Sequence, residues 1–252
     1  MTGAAPLSVA GVEKRFGGIA ALSGVTFAID APGVYGLIGP NGAGKTTLFD
    51  VIAGETAPDA GRVSLGGEDV TARAPHARAA RGIARTFQEC RILPEASCLE
   101  NLLFTAQPKS LAAAVLQSLT RAPGVDAHRV DEARSLLALV NLERYTHEPA
   151  ASLSFGQRRL LEIVAAFLAR PRLLLLDEPA AGVNPALLET LHHAIRTMHS
   201  QSGGVFLIVE HNMEFIMSLA GEIIVMHQGA VLERGSPEAV QASPRVLEAY
   251  LG

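Results

Sequence analysis

Gly39-Pro40-Asn41-Gly42-Ala43-Gly44-Lys45-Thr46 fits the pattern G-x-x-x-x-G-K-[ST], between an apolar strand-like run and a helix-like one. Gly39, Gly42 and Gly44 let the backbone turn its N–H groups inward, so Asn41, Ala43 and, just beyond the pattern, Thr47 present amides to phosphate oxygens. The helix start adds a partial positive charge. Lys45 is placed to reach the β- and γ-phosphates, and the Thr46 hydroxyl to ligate Mg²⁺. The chain carries 21 basic residues, yet only Lys14, Lys45 and Lys109 are lysines. A lysine retained at position 45 of so arginine-rich a chain points to a need for a compact point charge rather than a planar guanidinium. The chemistry implied is binding of a nucleoside triphosphate. None of the three lysines has Asp two residues later, which argues against a guanine-reading N-K-x-D motif.

Further acidic and basic groups stand at strand ends. Asp177-Glu178 follows the wholly apolar run Leu173–Leu176, and His211 follows the apolar run Val205–Val209. A simple kinase built on such a phosphate loop would not need Leu153-Ser154-Phe155-Gly156-Gln157, which opens a helix ahead of Arg158, Arg159 and Leu160. His192, His193 and His199 show no metal-ligand spacing and read as a solvated helix face.

These groups must be held by a scaffold, and the pattern specifies one. Leu7–Val12, Val25–Ile29, Gly33–Ile38 and Arg62–Leu65 read as strands, with a helix over Lys45–Ala53 stopped by Gly54. From Leu99 to Ala169 the texture turns helical, with Leu136, Leu137, Val140 and Leu142 as one buried face and breaks at Pro108 and Ala122-Pro123-Gly124. Strands then alternate with helices: Leu173–Leu176, Pro185–Ser200, Val205–Val209, Asn212–Ala220 and Ile223–Met226. Such alternation implies βαβ units. Ser236-Pro237 and Ser243-Pro244 each read as an N-cap followed by Pro at the first helical position. The chain ends directly after this last helix, with no appended regulatory domain expected.

Composition sets bounds on the function. The 252 residues are 48% hydrophobic and 18% charged, which fits a globular chain with a real core. A net charge of −4 argues against nucleic acid as partner. Arg62, Arg73, Arg78, Arg81, Arg85 and Arg91 outnumber Glu68, Asp69 and Glu89 in their stretch. They read as a solvated face, with anionic headgroups as the alternative. Cys90 and Cys98 suggest neither a disulfide nor a zinc site, and a reducing cytoplasm is expected. No apolar run reaches the length of a membrane span, and Met1–Pro6 lacks a secretory signal, so any membrane role is peripheral.

Phosphate loop, Gln88, Ser154–Gln157, Asp177-Glu178 and His211 stand in one order along the chain, and in that order the sequence resembles the ATP-binding subunits of ABC transporters over essentially its whole length. The resemblance implies an α/β fold: a P-loop NTPase core with a mixed sheet, an N-terminal antiparallel β subdomain and an inserted α-helical subdomain. One domain spans 1–252, with 1–90 and 170–252 as the core with its β subdomain and 91–169 as the helical part. It also implies roles. Phe16 stacks on adenine, with a strand-end core aromatic as the alternative. Gln88 senses Mg²⁺ and the γ-phosphate and couples to the membrane partner. Asp177 holds Mg²⁺ directly or through water, Glu178 is the general base for the attacking water, and His211 contacts the γ-phosphate. Ser154, Gly156 and Gln157 close over ATP held by a facing subunit, so two ATP-binding subunits sandwich two nucleotides.

Two positions depart from the usual pattern: Phe155 where many relatives have glycine, and Asn184 where many have Asp. Together with Asp177–Pro185 and the ending Glu248-Ala249-Tyr250-Leu251-Gly252, they resemble the branch that energises import of branched-chain amino acids and related amides such as urea. Residues around Pro108–Asp126 resemble the longer of that branch's two ATPases. The partners implied are transmembrane permease subunits, a second ATP-binding subunit (the same chain or a paralogue) and, indirectly, a periplasmic or extracellular binding protein. The place implied is the cytoplasmic face of the inner membrane. A lipopolysaccharide-export ATPase and a soluble ABC-type assembly factor are the alternatives.

Overall fold

The computed structural model describes residues 5–87, 91–105 and 127–251. The first sheet is antiparallel, in the order β2-β1-β4-β5: β1 (Leu7–Phe16), β2 (Ile19–Ile29), β4 (Ala60–Leu65) and β5 (Glu68–Asp69). Gly66-Gly67, both with positive φ, close the β4–β5 hairpin, as a primed two-residue turn requires.

The second sheet carries the chemistry. Its order is β10-β9-β3-β8-β7-β6, built from β3 (Gly33–Ile38), β6 (Ile83–Arg85), β7 (Leu173–Asp177), β8 (Val205–Val209), β9 (Glu222–His227) and β10 (Ala230–Gly235). All neighbours run parallel except β10, which pairs antiparallel with β9. Every residue of β7 and β8 is buried, as expected of parallel strands covered on both faces. Alternation along β7 divides the core: Leu173 and Leu175 join the layer beneath the antiparallel sheet, while Leu174 and Leu176 join the layer packed with helices.

The helices described are α1 (Lys45–Ala53), α2 (Pro75–Ala79), α3 (Cys98–Thr105), α4 (Ala127–Leu139), α5 (Phe155–Leu168), α6 (Pro185–Ser202), α7 (Met213–Leu219), α8 (Pro237–Gln241) and α9 (Pro244–Leu251). Leu136, Leu137, Val140 and Leu142 are all buried, but they do not share one helix. α4 ends at Leu139 and Asn141 turns left-handed (φ 57°), so Val140 and Leu142 reach the core from the turn beyond. The Ser236 cap forms, its hydroxyl accepting from the Ala239 amide.

The arginine-rich stretch is not one solvated face. Arg62 and Arg81 pair with Asp69 and Glu68 near the surface, whereas Arg78 is buried and Arg85 turns its side chain inward. The Arg78 guanidinium donates to the carbonyls of Val51 (2.6 Å), Ile52 (2.8 Å), Thr71 (2.7 Å) and Arg73 (2.9 Å). It thereby satisfies carbonyls that the end of α1 leaves open. Arg78→Met strands these acceptors in the interior. It is expected to cost about 3 kcal/mol and to lower Tm in a thermal melt by about 6–12 °C.

Candidate functional site

The phosphate loop leaves β3 at Ile38 and enters α1 at Lys45. At Gly39 an added Cβ would stand 2.1 Å from the Met226 carbonyl oxygen, and at Gly44 2.5 Å from that of Ala21. Both positions also have positive φ, so glycine is required twice over. Lys45 is buried inside the loop, its Nζ donating to the carbonyls of Gly39 (2.7 Å) and Pro40 (3.0 Å). Burial pushes its ammonium pKa down, and the nearby carboxylates of Glu178 and Asp177 oppose that shift. No acidic side chain occupies the first turn of α1, which leaves its positive end for an anion. Asn41, Gly42 and Thr46 are exposed around this cradle, with Ala43 buried and Thr47 partly so.

Asp177, the last residue of β7, comes next to the loop. Burial raises its carboxyl pKa, and hydrogen bonding to Arg85 opposes this. Arg85 donates through Nη2 to Asp177 Oδ2 (3.1 Å) and through Nη1 to Asp50 Oδ1 (2.6 Å), linking β7 to α1. Arg159, from α5, lies almost wholly buried behind the same strand end. It donates to the carbonyls of Phe87, Asp177 and Glu178 and pairs with Glu162 at 2.9 Å.

Glu178 turns the chain with φ 47°, a conformation costly for a non-glycine residue. Its amide donates to the Val209 carbonyl (2.9 Å) and its carbonyl accepts from Arg159, so the turn is held from both sides. Glu178 Oε1 lies 2.9 Å from His211 Nε2. The buried carboxylate of Glu210 fixes the histidine's loop, accepting from the amides of His211 (2.8 Å), Asn212 (2.9 Å) and Ala180 (2.7 Å). Lys45, Asp177, Glu178 and His211 therefore converge beyond the C-terminal ends of the interior strands β3, β7 and β8, while Gln88 lies outside the described residues.

The donors here suit a hard cation. The Thr46 hydroxyl and the Asp177 carboxylate offer oxygen only, and among the described residues no three His, Cys, Asp or Glu side chains converge on a metal position. Such a set fits Mg²⁺ carried largely by phosphate and water oxygens, with one or two protein ligands.

Ser154 and Gln157 form a capping box at the start of α5: the Ser154 hydroxyl accepts from the Gln157 amide, and Gln157 Oε1 accepts from the Ser154 amide at 2.9 Å. Gly156 packs on Leu187 and Val183. Asn184 caps α6, accepting from the Leu187 amide at 3.0 Å. Phe16 is 53% exposed with Lys14 over its ring, so it is not a core aromatic. His199 is also not simply solvated, as its ring stands edge-on to Phe206.

Several residues at the site carry no motif. Arg85, Thr86 (whose hydroxyl accepts from the Asp177 amide) and Arg159 act through partners far away in sequence, and Glu210 joins its own neighbours to the distant Ala180. Arg159 and Glu162 did leave a signal, as charges on the apolar face of a helix. Tyr250, in the C-terminal run, lies near the loop: partial burial pushes its phenol pKa up, and the Gly39 backbone amide opposes this. Beside the site a groove of 590 Å³ runs between the sheet edge and the helices, lined by Arg85, Phe87, Leu93, Phe104 and Glu162 among others.

Residues 22–181 match the ABC transporter family, and residues 230–252 match the C-terminal part of branched-chain amino acid ATP-binding cassette transporters. The chain is 39% identical to the high-affinity branched-chain amino acid transport ATP-binding protein BraF of Pseudomonas aeruginosa, over 98% of this chain and 97% of that one. It is 34% identical to LivG of Escherichia coli K12, a protein of the same description, with the same coverage. Among solved structures, a nucleotide-free ATP-binding cassette from an ABC transporter superposes with TM-score 0.84 at 32% identity, covering 98% of this chain and 99% of that one. The ADP conformation of such a cassette gives 0.83 at 31%, with the same coverage.

Proposed function

This chain belongs to the ABC transporter family of ATP-binding cassettes, and from that premise we propose that it hydrolyses ATP to drive import of branched-chain amino acids or related amides. The observation that carries the reading is the convergence of Lys45, Asp177, Glu178 and His211 at the C-terminal ends of β3, β7 and β8, at the phosphate loop. The similarity to BraF and LivG over nearly the full length, and the family match at 230–252, support the cargo class.

Lys45 moves from the loop carbonyls to the β- and γ-phosphates, exchanging neutral acceptors for charged ones. Glu178 accepts a proton from water as its oxygen adds to the γ-phosphorus and the bond to the β-phosphate oxygen breaks. His211, 2.9 Å from the Glu178 carboxylate, orients that base and the γ-phosphate. Thr46 and Asp177 would hold Mg²⁺, which would offset phosphate charge when bound, and the resemblance gives Gln88 the role of sensing that ion. Phe16 offers its exposed ring to adenine.

Ser154, Gly156 and Gln157 stand at the positive end of α5 and close over ATP on a second ATP-binding subunit. Triphosphate charge then binds the halves, and hydrolysis releases them. Permease subunits dock in the 590 Å³ groove, which lies between the nucleotide edge and the helical segment. No described helix is long and apolar enough to cross a membrane, which fits a subunit held at the cytoplasmic face of the inner membrane by its permease.

Deleting the gene is expected to abolish leucine uptake and leave the outer envelope intact. Normal leucine uptake with a damaged envelope would replace the import reading by lipopolysaccharide export. Phe104→Glu places a charge in the groove, where Phe104 is 60% exposed. The variant chain is expected to fold and bind nucleotide normally but to lose co-purification with the permease.

A further inference from the structure

Phe155 lies between Ser154 and Gly156, and 47% of it is exposed, so the core gains little from it. Its ring covers Gly182 instead. A Cβ on Gly182 would stand 2.8 Å from Phe155 Cε1 and 3.1 Å from Cδ1. The neighbouring residue repeats the arrangement in reverse: a Cβ on Gly156 would stand 2.9 Å from Leu187 Cδ1 and 3.7 Å from Val183 Cα. Two glycines, one on each element, thus let the start of α5 and the loop Ala181–Asn184 meet at close range. Gly182 also has φ 68°, so a side chain there would be strained as well as crowded.

That loop continues directly from Glu178. The Ala181 amide donates to the Glu178 carbonyl (3.1 Å) and the Val183 amide to that of Ala180 (3.2 Å), and Asn184 ends the loop as the cap of α6. The loop's described backbone bonds are thus short-range, and the Phe155 ring on Gly182, beside the Gly156–Val183 contact, ties it sideways to the Ser154 edge.

We propose that Phe155 is a positioning residue for hydrolysis: its ring on Gly182 locks the Ala181–Asn184 loop, and through it the Glu178 turn, to the Ser154–Gly156 edge. The two elements then meet the facing subunit as one rigid unit. This rests on the sandwich reading above. Positioning errors of about 1 Å can cost up to about 10²-fold in rate, and a ring replaced by a methyl group frees the loop on that scale.

The test compares Phe155→Ala, Phe155→Tyr, Gly182→Ala and the double variant Phe155→Ala/Gly182→Ala in the full chain. Phe155→Ala is expected to lower kcat by about 10-fold to 10²-fold, with the nucleotide Kd and the nucleotide-free Tm unchanged. Phe155→Tyr keeps the ring and restores most of the rate. Gly182→Ala displaces the ring and gives a similar loss, and the double variant is no slower than the worse single one. Wild-type turnover in Phe155→Ala would overturn the proposal. So would defects that multiply in the double variant, because the ring would then act on the facing subunit and not on its own loop. A matching loss of Tm would also overturn it, by giving the ring a purely structural role. Failure of the sandwich reading is distinguishable, because ATP would then fail to associate subunits even with Phe155 and Gly182 intact.

Discussion

Replacing Glu178 with Gln is expected to leave ATP binding at wild-type affinity and to slow hydrolysis by about 10²- to 10⁴-fold, the range spanned by general acid–base catalysis. The amide keeps the size of the carboxylate, and the backbone contacts that set φ 47° at this residue come from Val209 and Arg159, which the substitution leaves in place. Gln can still hydrogen-bond His211, but it cannot accept a proton from water at useful cost. Phosphate release under single-turnover conditions, measured beside equilibrium binding of a fluorescent ATP analogue, separates the two effects. Wild-type turnover in this variant would remove Glu178 from the role of base.

Lys45→Ala is expected to act on binding itself. The variant lacks two charge-assisted contacts to the triphosphate, each worth about 1.5–3 kcal/mol, so ATP affinity falls by about 10²- to 10⁴-fold. The nucleotide-free protein should not lose stability in proportion. Lys45 is buried with its pKa pushed down by desolvation, so the empty cradle already pays to hold the ammonium. The checking measurement is the rise in Tm with ATP, which reports the ratio of ligand concentration to Kd. Wild-type chain should show a clear rise and Lys45→Ala almost none, from a nearly equal starting Tm.

The sequence was most legible where function is contiguous. Gly33–Thr46, Leu173–Glu178 and Val205–His211 each combine a buried strand with the turn that follows it, so composition and order alone located them. What stayed hidden depends on distance along the chain. Arg85 meets Asp177 across 92 positions and Arg159 meets Phe87 across 72, and no local pattern records such pairs. Arg78 and Arg85 read as surface charges because their acceptors are backbone carbonyls and distant carboxylates. β10 was missed for a different reason: it is an antiparallel edge strand with partial burial throughout, so its alternation is weak. Leu142 kept a helical spacing but follows the left-handed Asn141, where spacing says nothing about the path of the chain.

Phe155 and Asn184 gained a physical reading once the contacts were in view. Asn184 keeps the helix-capping function that Asp would also serve. Phe155 has a counterpart in Gly182, so the aromatic in the signature and the glycine in the following loop belong together.

The central claim is that Lys45, Glu178 and His211 form part of a site that the Ser154 edge of a second subunit completes. Light scattering on the Glu178→Gln chain with ATP and Mg²⁺, alone and with the second ATP-binding subunit of its transporter, tests it most directly. The expected result is a doubling of mass that requires ATP, reverses on its removal, and is lost when Ser154→Arg is added. A chain that binds ATP at full affinity yet stays a single subunit in both mixtures would contradict it.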